Sequence, residues 1–219
     1  MYKRLVLTSK YHKNMAALVS KYISAQDNAL LQILIITYAD NKKAIEEIYH
    51  IKYDNHRTEK LISQITDDFC QLFSNRVHIT STQTTLLAVG ELLKFDLVII
   101  LGGHAPSCME KLNEMGLIGS VQSYTGTIWG ISAGAKVLCK KFVALSSAEN
   151  ILEYDGLGLL RDTALLVHRD NGNQVAYNHY YSNVESPPVC IGINNGGVVI
   201  VENNTISLME DSSFIHFKR

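Results

Sequence analysis

The sequence predicts an α/β fold with three layers, in which a mostly parallel sheet carries helices on both faces and ends in a C-terminal antiparallel hairpin. Two runs, Gln32–Tyr38 and Phe95–Leu101, are almost wholly apolar, which is typical of strands buried on both faces. Strand-like and helical patterns alternate through residue 140, as parallel strands with helical crossovers require. Two short β-type segments flank Asn203-Asn204, and asparagine tolerates the positive φ of a tight hairpin turn.

The remaining elements follow from shorter patterns. Arg4–Thr8 is an apolar run that is too short for a signal peptide and predicts a first strand. Apolar residues at helical spacing predict helices over Met15–Tyr22, Leu61–Leu72, Thr84–Leu93, Ser107–Met115 and Leu117–Tyr124. Further strands are expected at Val77–Thr80, Ala164–Val167, Val189–Ile193, Val198–Glu202 and Thr205–Leu208. Residues 146–155 form a polar excursion and residues 168–188 a long polar loop.

Composition indicates one globular domain spanning residues 1–219. Hydrophobic residues make up 47% of the chain and charged residues 19%, as in soluble globular proteins. The formal charge of −1 argues against a nucleic-acid or membrane surface, and no apolar stretch approaches membrane-spanning length. Because the four cysteines are scattered without a C-x-x-C pair, we expect no metal site and free thiols in a reducing cytoplasm.

The segment Thr127–Leu138 reads as a strand, a sharp turn and a helix, with Ser132 at the apex. Gly130 and Gly134 give the G-x-S-x-G spacing of a nucleophile elbow. Small neighbours are needed there because a serine on so tight a turn has a strained backbone. The turn would present the hydroxyl at a helix N-terminus, where backbone N–H groups favour a developing oxyanion. Ser132 is therefore the candidate nucleophile.

A second strand end carries Gly102-Gly103, directly after the buried run that ends at Leu101. Ligands bind at the carboxyl ends of strands in open parallel sheets. Two glycines let the backbone approach a substrate closely. We therefore expect the N–H groups of Gly103 and Ala133 to form the oxyanion hole.

A serine nucleophile needs a base, which is usually an imidazole. His168 follows the strand segment Leu165–Val167 and is the preferred candidate, because it sits at the end of a strand expected to neighbour the elbow. His104 is tied to the glycine turn, His179 lies in the polar loop, and His216 is on a terminal strand. The sequence thus favours a Ser132–His168 pair.

The third group of such a site is a carboxylate that orients the imidazole. Glu149, Glu153, Asp155 and Asp170 are the candidates. Asp155 precedes Gly156 and suits a turn, while Asp170 is only two residues from the histidine, which is awkward for a side-chain contact. Glu149 can fold back over the strand ends from the polar excursion. We prefer Glu149 on that ground.

Together these residues resemble the peptidase E and cyanophycinase family of serine peptidases. The resemblance rests on Gly130–Ala135, Gly102-Gly103, Asp155–Leu160 and His168, and it spans most of the chain. It implies a fold like that of class I glutamine amidotransferases, with serine in place of their cysteine. It also implies cleavage of peptide or isopeptide bonds at aspartate, with an acidic residue between the serine and the histidine, a position that Glu149 fits.

Three positions depart from the family pattern. His104 stands where the family usually has asparagine after the glycine pair, and Asn195 stands where a glutamate is expected. In the family, a segment after the histidine carries an arginine that binds a carboxylate. Here Asp170–Asn173 replace that segment, and Arg169 is the only nearby guanidinium. We take His104, Arg169 and Asn195 as candidate substrate-binding residues. These departures argue against strict specificity for aspartyl dipeptides.

The sequence as a whole predicts a cytoplasmic serine peptidase of the dipeptidase E type that acts on small peptides without a metal or cofactor. No nucleic-acid or membrane partner is expected, and a homodimer is left open. One alternative is an α/β-hydrolase-type esterase that combines Ser132 with Asp170 or Asp211 and with His216. Another is a family member whose pocket has changed into a binding site, which His104 and Asn195 motivate.

Overall fold

The computed structural model describes residues 4–23, 30–48, 52–54, 56–83, 87–88, 90–145, 151–168, 189–209 and 211–215. The helices are α1 Met15–Ser20, α2 Lys42–Glu47, α3 Arg57–Leu72, α4 Ala105–Glu114, α5 Ile118–Ser123 and α6 Ala133–Lys136. The first six strands are β1 Arg4–Thr8, β2 Leu31–Ile36, β3 Val77–Ser81, β4 Leu97–Ile100, β5 Thr127–Ile131 and β6 Lys141–Leu145. The other six are β7 Ile151–Asp155, β8 Thr163–Val167, β9 Val189–Ile193, β10 Val198–Glu202, β11 Thr205–Met209 and β12 Ser212–Ile215.

Seven strands form the central sheet, in the order β11-β10-β1-β5-β4-β2-β3. The five strands from β1 to β3 in this order are parallel to one another. β10 pairs antiparallel with β1 and with β11, so the last two strands form the predicted hairpin. The predicted fold class, a mostly parallel sheet with helices and a C-terminal antiparallel hairpin, is confirmed.

Both faces of the central sheet are buried at β2, as the largely apolar run there predicts. In β2, Leu34 and Ile36 share a core with residues of α4, α5 and α6. Ile33 and Ile35 of the same strand pack with residues of α1 and α3 on the other face. Burying an aliphatic side chain stabilises a fold by about 1.5–3 kcal/mol. The two cores therefore hold the strand ends in fixed positions relative to one another.

A second sheet has the order β12-β9-β8. Its central strand, β9, is parallel to β8 and antiparallel to β12. The strand that precedes His168 therefore belongs to this sheet. The expectation that it neighbours the elbow strand is wrong, because β5 lies between β1 and β4. β8 instead packs against α6, which still brings its carboxyl end to the elbow.

Two further segments differ from the prediction. Within the predicted helix over residues 84–93, the described residues form only a short 3₁₀ helix, Glu91–Lys94. β6 and β7 pair as an antiparallel hairpin, although the sequence predicted a polar excursion there. Lys141 lies 3.4 Å from Glu153 and 2.9 Å from Asp155, so the polar residues of this hairpin pair across its exposed face.

Two further findings concern the helices and the cysteines. In the described part of the chain, no helix is both long and apolar enough to cross a membrane. All four cysteines are free, and Cys108, Cys139 and Cys190 are buried. Burial raises the pKa of each of these three thiols to about 12, so they stay protonated and unreactive at neutral pH.

Candidate active site

Ser132 stands at the turn between β5 and α6 with φ 55° and ψ −114°. Its neighbours must be glycine for steric reasons. A Cβ on Gly130 would lie 2.6 Å from Cα of Ala135, and a Cβ on Gly134 would lie 2.0 Å from the carbonyl oxygen of Ile100. The backbone N–H of Ser132 donates to the carbonyl of Thr8 at 2.8 Å, which ties the turn to the end of β1. The G-x-S-x-G pattern therefore folds as a strained elbow.

The side chain of His168 lies against this serine. Ser132 Oγ is 2.7 Å from His168 Nε2, within hydrogen-bonding distance for a nucleophile and its base. His168 directly follows β8 and has φ 55°. This left-handed conformation costs a non-glycine residue free energy, and the contacts of His168 with its neighbours offset that cost.

Two side chains contact the other nitrogen of the ring. His168 Nδ1 lies 3.1 Å from Ser9 Oγ and 3.1 Å from Asn195 Oδ1. Ser9 Oγ also accepts the backbone N–H of His168 at 2.7 Å. With Nδ1 protonated, the ring donates towards these oxygens and its Nε2 lone pair accepts from the serine hydroxyl. Because Asn195 Oδ1 can only accept, its contact favours the tautomer in which His168 can act as a base.

The backbone next to Ser132 offers donors for an oxyanion. Among the described residues, neither Gly103 N–H nor Ala133 N–H donates a hydrogen bond. Gly103 has φ 140°, and a Cβ there would lie 2.1 Å from the carbonyl oxygen of Ala39. A Cβ on Gly102 would lie 2.9 Å from Cβ of Ser132. Glycine is thus required at both positions, and the turn lies directly beside the serine.

A cavity of about 330 Å³ opens over this arrangement, near the lower end of the range of about 300–1,000 Å³ for ligand pockets. Ser132, His168, Gly102 and Gly103 line it. Its other lining residues include the charged side chains of Lys10, Asp40, Asp54, Arg57 and Lys60. The cavity therefore combines the candidate nucleophile with groups that can bind a polar substrate.

His104 serves the local structure instead of lining this cavity. Its side chain caps α4, with Nδ1 lying 2.8 Å from Ser107 Oγ, and the residue is 8% exposed. Burial is the main cause that lowers the pKa of His104, so the ring is neutral at neutral pH. A direct role of His104 in substrate binding stays a prediction.

The structure brings together some of the predicted residues. Ser132, His168, Gly103 and Ala133 lie at one site, and Asn195 contacts the imidazole. Glu153 and Asp155 flank Lys141 in the β6–β7 hairpin. The predicted or considered residues Glu149, Arg169, Asp170, His179 and His216 lie outside the described residues.

Sequence reasoning missed Ser9 and Asp40. Ser9 follows the first strand, and the sequence separation of 159 residues from His168 left no local signal. A signal was available in principle, because the carboxyl ends of parallel strands meet at one edge of a sheet. Asp40 likewise follows β2 and could have been considered on the same ground.

Known proteins resemble this chain in sequence and in fold. The sequence profile of Peptidase family S51 matches residues 20–209. A crystal structure of a protein provisionally named peptidase E from Listeria monocytogenes EGD-e is similar, with a TM-score of 0.65 at 15% identity, and the match covers 95% of this chain and 98% of that one. A peptidase from an acI-B1 Actinobacterium gives a TM-score of 0.63 at 13% identity, covering 98% of this chain and 91% of that one. No curated protein sequence matches at a significant level. The profile match extends over most of the chain, which therefore belongs to Peptidase family S51.

Proposed function

We propose that the protein is a serine-type peptidase of the cytoplasm that cleaves small peptides, with Ser132 as nucleophile and His168 as base. The observation that carries the proposal is the 2.7 Å contact between Ser132 Oγ and His168 Nε2. Membership of a peptidase family supports the class of reaction. The same contact favours His168 over His216 as base and so disfavours the esterase alternative.

The proposed mechanism starts with attack of Ser132 Oγ on the scissile carbonyl carbon while His168 Nε2 takes the hydroxyl proton. The N–H groups of Gly103 and Ala133 donate to the oxyanion of the tetrahedral intermediate. His168 then passes the proton to the leaving amine, and the C–N bond breaks. Water, activated by the same imidazole, hydrolyses the acyl-enzyme.

We further propose that Asn195 orients the imidazole. Its Oδ1 lies 3.1 Å from His168 Nδ1 and accepts the Nδ1–H bond, as the asparagine of Cys-His-Asn proteases does. A neutral amide holds the tautomer but stabilises the imidazolium less than a carboxylate would. The earlier prediction for Glu149 stays open beside this proposal, since both residues could act on one ring.

The test uses Ser132→Ala and, as a matched control, Ser63→Ala on the exposed side of α3. We expect Ser132→Ala to lower peptide hydrolysis by at least about 10³-fold and to abolish labelling by a fluorophosphonate probe. The control should hydrolyse and label like the wild type. Circular dichroism checks that both variants are folded. Unchanged turnover in folded Ser132→Ala would refute the mechanism.

A second candidate function is ligand binding without catalysis, and the neutral Asn195 beside the imidazole is the observation that favours it. The fluorophosphonate experiment separates the two functions. A wild-type protein that is folded but not labelled would indicate an inactive serine and a binding role.

A further inference from the structure

Within the part of the chain that the structure describes, one carboxylate in the active-site cavity has no cationic partner. Asp40 lies beyond the end of β2 and lines the cavity together with Ser132 and His168. Its Oδ2 accepts from Tyr53 Oη at 2.9 Å and from Thr58 Oγ1 at 2.5 Å. Among the described residues, Oδ1 has no hydrogen-bond partner. Two hydroxyl groups thus hold the carboxylate in place and leave one of its oxygens for a ligand.

The cationic side chains of the same cavity leave Asp40 unpaired. Lys60 lies 2.9 Å from Asp54, so these two charges offset each other. Lys10 and Arg57 also line the cavity, but within the described ranges neither forms an ion pair with Asp40. Burial, followed by the bond to Asp40, raises the pKa of Tyr53 to about 12, so this hydroxyl remains a donor at neutral pH.

Backbone contacts place Asp40 beside the reaction centre. The N–H of His104 donates to the carbonyl of Ala39 at 2.7 Å. Gly103 approaches Ala39 so closely that a Cβ would lie 2.1 Å from its carbonyl oxygen. Ala39, which precedes Asp40, is therefore packed against Gly103. The N–H of Gly103 is expected to donate a hydrogen bond to the oxyanion. A cation on Asp40 would therefore lie in the same cavity as the hydroxyl of Ser132.

We propose that Asp40 binds the α-ammonium group of the substrate, so that the enzyme cleaves after the first residue of a peptide with a free N-terminus. In such a peptide only one carbon separates the α-ammonium from the scissile carbonyl, which suits an acceptor beside the oxyanion turn. The inference rests on the proposed function. It assigns to Asp40 a role in substrate specificity, and Tyr53 and Thr58 position its carboxylate.

The first experiment compares dipeptides X-Leu, with X varied, in their free and N-acetylated forms, and measures released leucine by mass spectrometry. Charged hydrogen bonds of this kind change binding by roughly 10- to 100-fold. We therefore expect wild-type kcat/KM to be at least about 10-fold higher for the free form. Ratios near one in the wild type would overturn the inference and would leave the serine mechanism intact.

The second experiment uses Asp40→Asn, which keeps both hydroxyl contacts and removes the charge. We expect kcat/KM for the free dipeptides to fall by about 10-fold or more, with little change for the acetylated ones. Asp67→Asn is the matched control, because this carboxylate is exposed on α3 and does not line the cavity. An equal effect of both substitutions would contradict the assignment.

Two further arms remove the remaining ambiguities. Folded Ser132→Ala is titrated with alanyl-leucine and with its N-acetyl form by calorimetry, and we expect binding of the free form only. The titration measures binding without hydrolysis, so it tests the role of Asp40. Fluorophosphonate labelling of the wild type tests the proposed serine mechanism separately. N-acetyl-Lys-Leu tests whether Asp40 binds a cationic side chain instead of the α-ammonium group. If the wild type prefers this substrate and Asp40→Asn removes the preference, the α-ammonium assignment is overturned. If neither alanyl-leucine nor its N-acetyl form binds folded Ser132→Ala, the assignment is overturned too.

Discussion

Replacing Asn195 by aspartate tests how the imidazole is oriented. The change keeps the shape of the side chain and puts a charge 3.1 Å from His168 Nδ1. At this distance a carboxylate and an imidazolium attract each other by about 5 kcal/mol with an effective dielectric constant of about 20. Asn195 is partly exposed, so solvent screening and desolvation reduce the net gain. We expect about 1.5–3 kcal/mol in the transition state, which is a rise in kcat/KM of about 10- to 100-fold.

The assay is the pH dependence of kcat/KM, supported by the rate of fluorophosphonate labelling. Because the added charge favours protonated His168, the low-pH limb of the Asn195→Asp profile should shift to higher pH by about 1–2 units. Asn194→Asp is the control, since it adds the same charge at the neighbouring residue. Identical profiles for the wild type and both variants would refute the role of Asn195. Glu149→Gln in each background then shows whether a second carboxylate acts on the ring.

Two other substitutions test the support of the site. Ser9→Ala removes the acceptor of the His168 backbone N–H. We therefore expect the free energy of unfolding, measured by urea denaturation, to fall by about 1–3 kcal/mol, and kcat/KM to fall by about 10-fold. Unchanged values would contradict the contact. Gly134→Ala puts a Cβ 2.0 Å from the carbonyl oxygen of Ile100 and should cost more than about 3 kcal/mol in a thermal melt, whereas Gly119→Ala has open space around it and should gain up to about 1 kcal/mol. Equal melting temperatures for this pair would show that the elbow tolerates a side chain.

Local sequence patterns were sufficient for the central sheet and the elbow. β4 lies inside one of the two largely apolar runs and all of β2 except Leu31 lies inside the other, because strands buried on both faces need apolar residues at most positions. Ser132 could be located because the glycines beside it are fixed by backbone contacts within a few residues. Both signals come from short stretches of chain, which a single sequence displays directly.

The parts that sequence reasoning missed depend on contacts between distant residues. Sequence reasoning named Asn195 as a substrate-binding candidate but missed its contact with the imidazole across 27 residues, and it missed the contact of Ser9 across 159. Neither contact changes the local pattern around its residue. β6 and β7 were missed because Lys141, Glu153 and Asp155 give the exposed face of their hairpin a polar appearance. The assignment of β8 to a second sheet likewise depends on strand pairing that no local pattern specifies.

The end of β1 has a mechanical consequence for the enzyme. Ser132 follows a strand of the larger sheet, and its N–H donates to the carbonyl of Thr8. His168 follows a strand of the smaller sheet, and its N–H donates to Ser9 Oγ. Thr8 and Ser9 are consecutive residues. Movement of the two sheets relative to one another is therefore resisted at the spot where the Ser132 hydroxyl meets the His168 ring.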